Sequence, residues 1–181
     1  KALCVADKLH GTGRVEARDI SREKTELIRE NAIRQNFLNV VVTEKDATEL
    51  DGESLEKADI VLADLPCSGL GVIGRKKDIK YKMSPGKIQD LVSLQRKILE
   101  QASTYVKPGG TLIYSTCTIG REENLDNVRW FTQNYPYELD SLEPYLCQEL
   151  LGDTAREGYL QLLPGIHQCD GFFIARLKRK K

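Results

Sequence analysis

Two cysteines follow apolar runs at positions where a sheet protein exposes reactive groups. Cys67 comes three residues after the run 59–64, within Asp-Leu-Pro-Cys-Ser-Gly, and Cys117 ends the run 111–117. The carboxyl ends of parallel strands carry the ligand-binding groups of open sheets. The two thiols are therefore predicted to share a cleft, where either could serve as a nucleophile. Gly69 and Gly71, just beyond, are expected to let a planar group approach closely.

The cysteine count excludes two common uses of this residue. The five cysteines are odd in number and widely spaced, which fits no disulfide framework. There is no Cys-x-x-Cys pair and only two histidines, so no metal site is expected. A thiol redox protein using Cys67 and Cys117 stays open as an alternative.

Three aspartates stand at or just after predicted strand ends. Asp19 ends one strand and directly precedes a helix start, where it could accept both hydroxyls of a ribose or, alternatively, help to cap the helix. Asp46 follows the next strand and could accept an adenine amine, although its surroundings are also those of an ordinary turn. Asp64 ends the run that leads to Cys67.

The elements that must position these residues alternate between short β-rich runs and longer helical ones. This order predicts an α/β fold with a mainly parallel sheet and helices on both faces. The run 59–64 is apolar enough to be a central strand. Helices are predicted at 2–9, 22–36, 53–57, 86–106 and 121–134, strands at 14–20, 40–43, 59–64, 111–117, 136–140, 159–163 and 172–178, and a long loop at 68–83.

Composition bounds the function further. The chain has 181 residues, 40% hydrophobic and 30% charged, with 27 basic and 27 acidic side chains. One catalytic domain over 1–181 is expected, and bulk charge alone could not hold nucleic acid. No apolar run is long enough to span a membrane and no signal sequence opens the chain, so a cytoplasmic location is expected. Because the chain opens with a helix, we expect the first strand of the fold to be missing.

Seven motifs can be compared with those of known families: ARDIS (17–21), KDAT (45–48), ADLPCSGLG (63–71), RKKDIKYK (75–82), YSTCT (114–118), REENLDNV (121–128) and DGFFIARL (170–177). Taken together, they resemble the RNA (cytosine-5)-methyltransferases that use S-adenosylmethionine. Within that family they are most similar to the bacterial 16S ribosomal RNA small-subunit methyltransferase B group, also called Sun or Fmu proteins. The resemblance implies a Rossmann-like class I methyltransferase fold.

The resemblance also implies a cofactor site. Asp19 would bind the ribose hydroxyls of S-adenosylmethionine and Asp46 its adenine, while Asp64 would lie near both cofactor and target base. Lys1 would be the last residue of a glycine-rich loop whose remainder lies upstream.

Catalytic roles follow from the same resemblance. Cys117 would be the nucleophile that adds to carbon 6 of cytosine, and Cys67 would act later, in product release. Asp64 is the candidate to stabilise charge at ring nitrogen 3, provided that its apolar strand raises its pKa. The target base must be single-stranded or flipped, and the loop bearing Arg75, Lys76, Lys77 and Lys80 could hold the RNA backbone.

Two further alternatives stay open at the level of sequence. A relative that modifies transfer RNA would carry the same catalytic motifs. A non-catalytic RNA-binding module is the other, because the cofactor loop is not in the chain.

Overall fold

All residues from Lys1 to Lys181 are described by a computed structural model. They form two units, Lys1–Leu50 and Asp51–Lys181. The α/β class predicted from the alternation of elements is confirmed. None of the helices combines the length and the apolar composition that a bilayer crossing requires.

The first unit is a pair of parallel strands with two helices. Its elements are α1 (Ala2–Lys8), β1 (Val15–Asp19), α2 (Arg22–Arg34) and β2 (Val40–Glu44). The register pairs Val15 with Val40 and Asp19 with Glu44, so both strands end at the same edge. Ser21 is the N-cap of α2, since its Oγ accepts a hydrogen bond from the Lys24 amide.

The second unit contains five strands and four helices. They are β3 (Ala58–Asp64), α3 (Ile79–Lys82), α4 (Pro85–Tyr105), β4 (Val106–Thr116), α5 (Leu125–Asn134), β5 (Tyr137–Leu139), α6 (Asp153–Glu157), β6 (Tyr159–Leu162) and β7 (Phe172–Arg179). The sheet order is β3-β4-β7-β5, and β6 also pairs with β7. β3 and β4 are parallel, whereas β7 runs antiparallel to its three neighbours.

Several predicted elements differ from those found. The segment 53–57 holds only a 3₁₀ turn at Gly52–Ser54, and the loop 68–83 contains the short helix α3. Helix α5 begins at Leu125, after a turn at 121–124. These differences are local. Hydrophobic periodicity indicates that a helix has an apolar face, but it does not indicate the residue at which the helix begins.

The prediction that the run 59–64 is a central strand is wrong for this sheet. β3 is its edge strand, with Ile60 67% and Leu62 46% exposed. Apolar composition indicates that a strand is suited to burial, but it does not state which neighbours are present to bury it.

The core of the second unit fixes the two strands that lead to the cysteines. Leu99 of α4, Leu112 and Tyr114 of β4, and Phe131 of α5 are fully buried in one apolar cluster. The ends of β3 and β4 are thus held by close packing, which is the rigid support that a reactive site needs.

Candidate active site

The two predicted thiols meet where β3 and β4 end. The register pairs Asp64 with Ser115, and the Leu65 amide continues the ladder by donating to the Ser115 carbonyl at 3.1 Å. Beyond this point Cys67 Sγ and Cys117 Sγ lie 3.2 Å apart, and the Cys117 amide donates to Cys67 Sγ at 3.3 Å. Both thiols are half-buried, whereas the three other cysteines of the chain are exposed. The two thiols thus meet at one edge of the sheet, as expected from the strand ends.

Contact with Cys117 changes the acidity of the Cys67 thiol. The hydrogen bond with Cys117, followed by burial, raises the pKa of the Cys67 thiol far above its ordinary value. Cys67 therefore keeps its proton at neutral pH. An S–H on Cys67 can donate to Cys117 Sγ and stabilise negative charge there.

The shifted pKa leads to a prediction about alkylation. Over a rising pH series, we expect iodoacetamide to modify Cys67 only at higher pH than an ordinary thiol of pKa about 8.5. Cys117→Ala removes the largest cause and should lower the pKa of Cys67, with part of the rise remaining from burial. Mass spectrometry of the peptides measures both profiles, with exposed Cys169 as the accessible reference. Equal profiles for Cys67 in the two proteins would contradict the coupling.

The same shift fixes the sign of a stability effect. The folded state keeps the Cys67 proton at pH values where the unfolded chain has lost it. The contribution of this thiol to stability is therefore complete below pH about 8.5 and declines as the pH rises above it.

Asp64 ends β3 in a different environment from the one expected. Its side chain belongs to an exposed residue, and its Oδ1 accepts a hydrogen bond from Ser115 Oγ at 3.0 Å. The apolar enclosure expected for it is absent, because Asp64 is the last residue of an edge strand. Its position beside the cysteines still suits a carboxylate that contacts a bound base.

Gly71 has a structural use that the sequence did not indicate. Its amide donates to the Cys117 carbonyl at 3.1 Å, and its carbonyl accepts from the Gly171 amide at 2.8 Å. A Cβ at position 71 would lie 2.2 Å from the Gly171 oxygen and 2.8 Å from the Cys117 oxygen. The close approach at Gly71 is therefore made by the backbone of Gly171 and Cys117, and not by a planar ligand as expected from the sequence. Gly69, by contrast, has a φ of 72°, in the left-handed region that glycine adopts readily.

Replacing Gly71 by alanine should therefore destabilise the protein. The clashes are with backbone atoms, which cannot rotate away, so we expect a loss of at least about 2 kcal/mol in the free energy of unfolding. Gly74→Ala is the matched control, since a Cβ there meets nothing within 4 Å; its effect should stay within about 0.5 kcal/mol. Denaturant unfolding of both variants measures the difference, and equal stabilities would contradict the close packing.

Sequence reasoning missed a buried carboxylate behind the cysteines. Glu123 is 0% exposed, and the side-chain and backbone groups that bond its carboxyl oxygens are neutral donors. Its Oε1 accepts from the Ser68 amide at 2.8 Å and from Gln95 Nε2 at 3.0 Å, and its Oε2 accepts from Ser68 Oγ at 2.5 Å. The only sequence signal was its place in the REENLDNV motif, where it resembles one more charge on a solvated helix.

Asn124 supports the other cysteine-bearing segment. Its Oδ1 accepts from Thr116 Oγ1 at 2.6 Å, and its Nδ2 donates to the Thr118 carbonyl at 3.0 Å. Gln161 of β6 adds a bond to the same carbonyl at 3.3 Å. The residues on both sides of Cys117 are thus fixed by buried side chains.

The predicted nucleoside-binding residues lie in the first unit. Asp19 closes β1, where its Oδ1 accepts from the Ser21 amide at 2.8 Å and its Oδ2 pairs with Lys24 Nζ at 3.3 Å. Asp46 follows β2; the amide and hydroxyl of Thr48 donate to its Oδ1 at 2.8 and 2.7 Å and lower the pKa of Asp46. Asp19 thus helps to cap the start of α2 and Asp46 stabilises a turn, which are the local roles that the sequence left open as alternatives. Both carboxylates lie at the edge of the sheet where β1 and β2 end.

The remaining predicted residues are at the surface. Lys1 is exposed directly before α1. In the second unit the side chains of the basic loop, Arg75, Lys76, Lys77 and Lys80, are exposed, and Arg75 forms an ion pair of 2.9 Å with Asp170. Exposed cations of this kind are available to a polyanion.

The fold is that of the class I methyltransferases. It is similar to the solved structure of NSun6 from Pyrococcus horikoshii with SFG, with a TM-score of 0.79 and 28% identity over 98% of this chain and 44% of that one. A methyltransferase homolog protein from the same organism has a TM-score of 0.74 and 29% identity, over 92% of this chain and 53% of that one.

Within this class, the sequence model of the family 16S rRNA methyltransferase RsmB/F matches residues 1–178, and the chain belongs to this family. The resemblance stated from the motifs is confirmed. Similar curated proteins are the ribosomal RNA small subunit methyltransferases F of Cronobacter sakazakii (35% identity) and Klebsiella pneumoniae (33%), each over 99% of this chain. The chain spans 38% of the length of these relatives.

Proposed function

We propose that the protein transfers a methyl group from S-adenosylmethionine to carbon 5 of a cytosine in 16S ribosomal RNA. The observation that carries the proposal is the pair of thiols, with 3.2 Å between Cys67 Sγ and Cys117 Sγ, in a chain of the RsmB/F family. A single nucleophile would need one thiol. Two in contact suit a reaction that must first form and later break a bond to the base.

The chemistry explains why a thiolate is needed. Carbon 5 of cytosine is a poor nucleophile, but addition of the Cys117 thiolate to carbon 6 turns the ring into an enamine whose electrons attack a methyl group from carbon 5. When bound, S-adenosylmethionine supplies that methyl group as an electrophile. Asp64, at the end of β3, would accept a hydrogen bond from the pyrimidine edge and so orient the ring.

The contact between the two sulfurs suits Cys117 as the nucleophile. The raised pKa of Cys67 keeps its S–H at neutral pH, and this S–H can donate a hydrogen bond to Cys117 Sγ. After Cys117 has bonded to carbon 6, its sulfur is a neutral thioether, which is a weaker hydrogen-bond acceptor than a thiolate. Cys67 then ionises more easily by releasing its proton to solvent. Its thiolate can take the proton from carbon 5, after which the electrons of that C–H bond restore the ring and Cys117 leaves carbon 6 as a thiolate.

Cofactor and RNA would be held by the residues described above. Asp19 would give up its ion pair with Lys24 and accept hydrogen bonds from the ribose hydroxyls. Asp46 would accept a hydrogen bond from the adenine amine. Lys1 and Asp64 are the other two residues proposed to contact the cofactor. The exposed loop bearing Arg75 would contact phosphates around a cytosine that is single-stranded or flipped.

Methylation assays test this function. We expect 5-methylcytosine in unmethylated 16S ribosomal RNA after incubation with protein and cofactor, mapped by bisulfite sequencing. Because the relatives extend beyond the matched segment, both the chain alone and a fusion that supplies the remaining segments of the Cronobacter sakazakii relative are assayed. Product in transfer RNA alone would favour the transfer-RNA alternative, and binding of RNA without any product would favour a non-catalytic module.

The redox alternative needs a separate measurement. A thiol redox protein would form a reversible disulfide between Cys67 and Cys117 with mild oxidant and would turn over a disulfide substrate. Such turnover, in the absence of methyl transfer, would replace the proposed function.

A further inference from the structure

The buried carboxyl group of Glu123 stands out because burying such a polar group is unfavourable unless its oxygens are hydrogen-bonded. No cationic side chain pairs with it, and its partners are the neutral donors of Ser68 and Gln95. A carboxylate that serves packing alone could be replaced by an apolar side chain at lower cost. A carboxyl group at this place therefore suits a use that depends on the hydrogen bonds it accepts.

Those hydrogen bonds converge on the residues that flank Cys67. Both donors of Ser68, its amide and its hydroxyl, point to the two oxygens of Glu123. Gln95, which donates to the same carboxylate, also donates to the Pro66 carbonyl at 2.9 Å. The segment is therefore held one residue before and one residue after the thiol.

Glu123 is itself tied to the strand that carries the other thiol. Its carbonyl accepts a hydrogen bond from the Tyr114 hydroxyl of β4, and Asn124 next to it bonds Thr116 and Thr118. Ser68 Oγ also contacts Thr118 Oγ1 at 2.8 Å, beside Cys117. One buried network thus joins the neighbours of both sulfurs.

We propose that Glu123 is a positioning residue that holds Cys67 against Cys117 by bonding both donors of Ser68. The proposal rests on the proposed function, in which Cys67 must reach the proton on carbon 5 of a base that is bonded to Cys117. A displaced Cys67 loses that reach, while Cys117, directly after β4, stays in place because Asn124 and Gln161 hold the residues on both sides of it.

The carboxylate is suited to this task because it only accepts. Three donors converge on its two oxygens, and each oxygen has lone pairs for them. In Glu123→Gln the amide oxygen can still accept from the Ser68 amide, but the NH₂ group faces the Ser68 hydroxyl, which must turn to accept. Glutamine should therefore restore part of the function that alanine loses.

The first experiment tests, without RNA or cofactor, how well the two sulfurs are placed to be bridged by one reagent. Phenylarsine oxide bonds two neighbouring thiols to one arsenic with release of water, so its affinity reports how well Cys67 and Cys117 are placed. Glu123→Ala should weaken bridging by about tenfold or more, and Glu123→Gln by less. Tyr137→Phe, which removes a buried hydrogen bond to the Ser103 carbonyl, should leave bridging unchanged. Arsenic held across residues 67 and 117 is quantified by mass spectrometry.

The second experiment measures catalysis in the fusion described above. If Cys67 is displaced, Glu123→Ala should accumulate a covalent protein–RNA adduct as Cys67→Ala does, with less adduct for Glu123→Gln. Ser68→Ala, which removes one of the two Ser68 donors, provides a milder variant if Glu123→Ala does not fold. Denaturant unfolding checks each protein.

The possible results separate the two proposals. If Cys67→Ala traps RNA but folded Glu123→Ala or Ser68→Ala does not, and arsenic bridging matches that of the unmodified chain, the positioning role is wrong. If Cys67→Ala itself traps no RNA, the proposed function fails, while a loss of bridging in Glu123→Ala would still show that Glu123 sets the sulfur pair.

Discussion

Cys67→Ala is expected to leave the protein covalently attached to its RNA. In this variant Cys117 can still add to carbon 6 and methyl transfer can still occur. The proton on carbon 5 then has no base to receive it, so the bond to Cys117 does not break. Loss of a general base typically slows its step by about 10²–10⁴-fold. The adduct should appear as a slowly migrating band on a denaturing gel, with methylated cytosine inside it.

Cys117→Ala should fail in the opposite way. Without the nucleophile there is neither adduct nor methyl transfer, and the double variant should also lose the band. Cys169→Ala is the control, since Cys169 is exposed and lies outside the cleft; its activity should match that of the unmodified protein. The two sulfurs are 3.2 Å apart, so the Cys67 and Cys117 variants each remove one thiol from the same site. Different outcomes for the two variants therefore report different chemical roles.

Two other outcomes would change the interpretation. If Cys117→Ala traps RNA and Cys67→Ala abolishes methylation, the two thiols have exchanged roles, and the raised pKa of Cys67 does not decide which sulfur attacks. If neither variant differs from the unmodified protein, the thiols are structural and the proposed methyltransferase function fails.

The meeting of the two cysteines could be predicted because it follows from local rules. A polar residue after an apolar run lies at a strand end, and neighbouring parallel strands end at one edge. The register of Asp64 with Ser115 turns that rule into a contact between residues 50 positions apart. The start of α2 was also predictable, because a serine N-cap acts within one turn of its own position.

The support behind the cysteines could not be predicted in this way. Glu123 and Gln95 are polar residues in or next to helical segments, where composition favours a solvated surface. They are buried because a network from three different elements satisfies them, and no sequence pattern specifies such a network. The edge position of β3 was missed for a related reason: the pairing of a strand depends on the other strands present.

Asp19→Ala should weaken binding of S-adenosylmethionine more than any other change in the first unit. We propose that this carboxylate accepts both ribose hydroxyls, and hydrogen bonds to a charged group contribute about 1.5–3 kcal/mol each. Losing both costs about 3 kcal/mol or more, so we expect the Kd to rise by roughly 10²-fold. Calorimetric titration of the fusion with the cofactor measures this change.

The control must separate the lost carboxylate from damage to the start of α2, because Asp19 also accepts from the Ser21 amide. Ser21→Ala removes the cap bond to the Lys24 amide at the same turn and leaves Asp19 in place. It should lower stability by about 1 kcal/mol with little change in Kd. Asp19→Asn, which keeps one acceptor oxygen, should fall between Asp19→Ala and the unmodified protein. If Ser21→Ala and Asp19→Ala raise the Kd equally, Asp19 acts by capping the helix and the ribose contact is wrong.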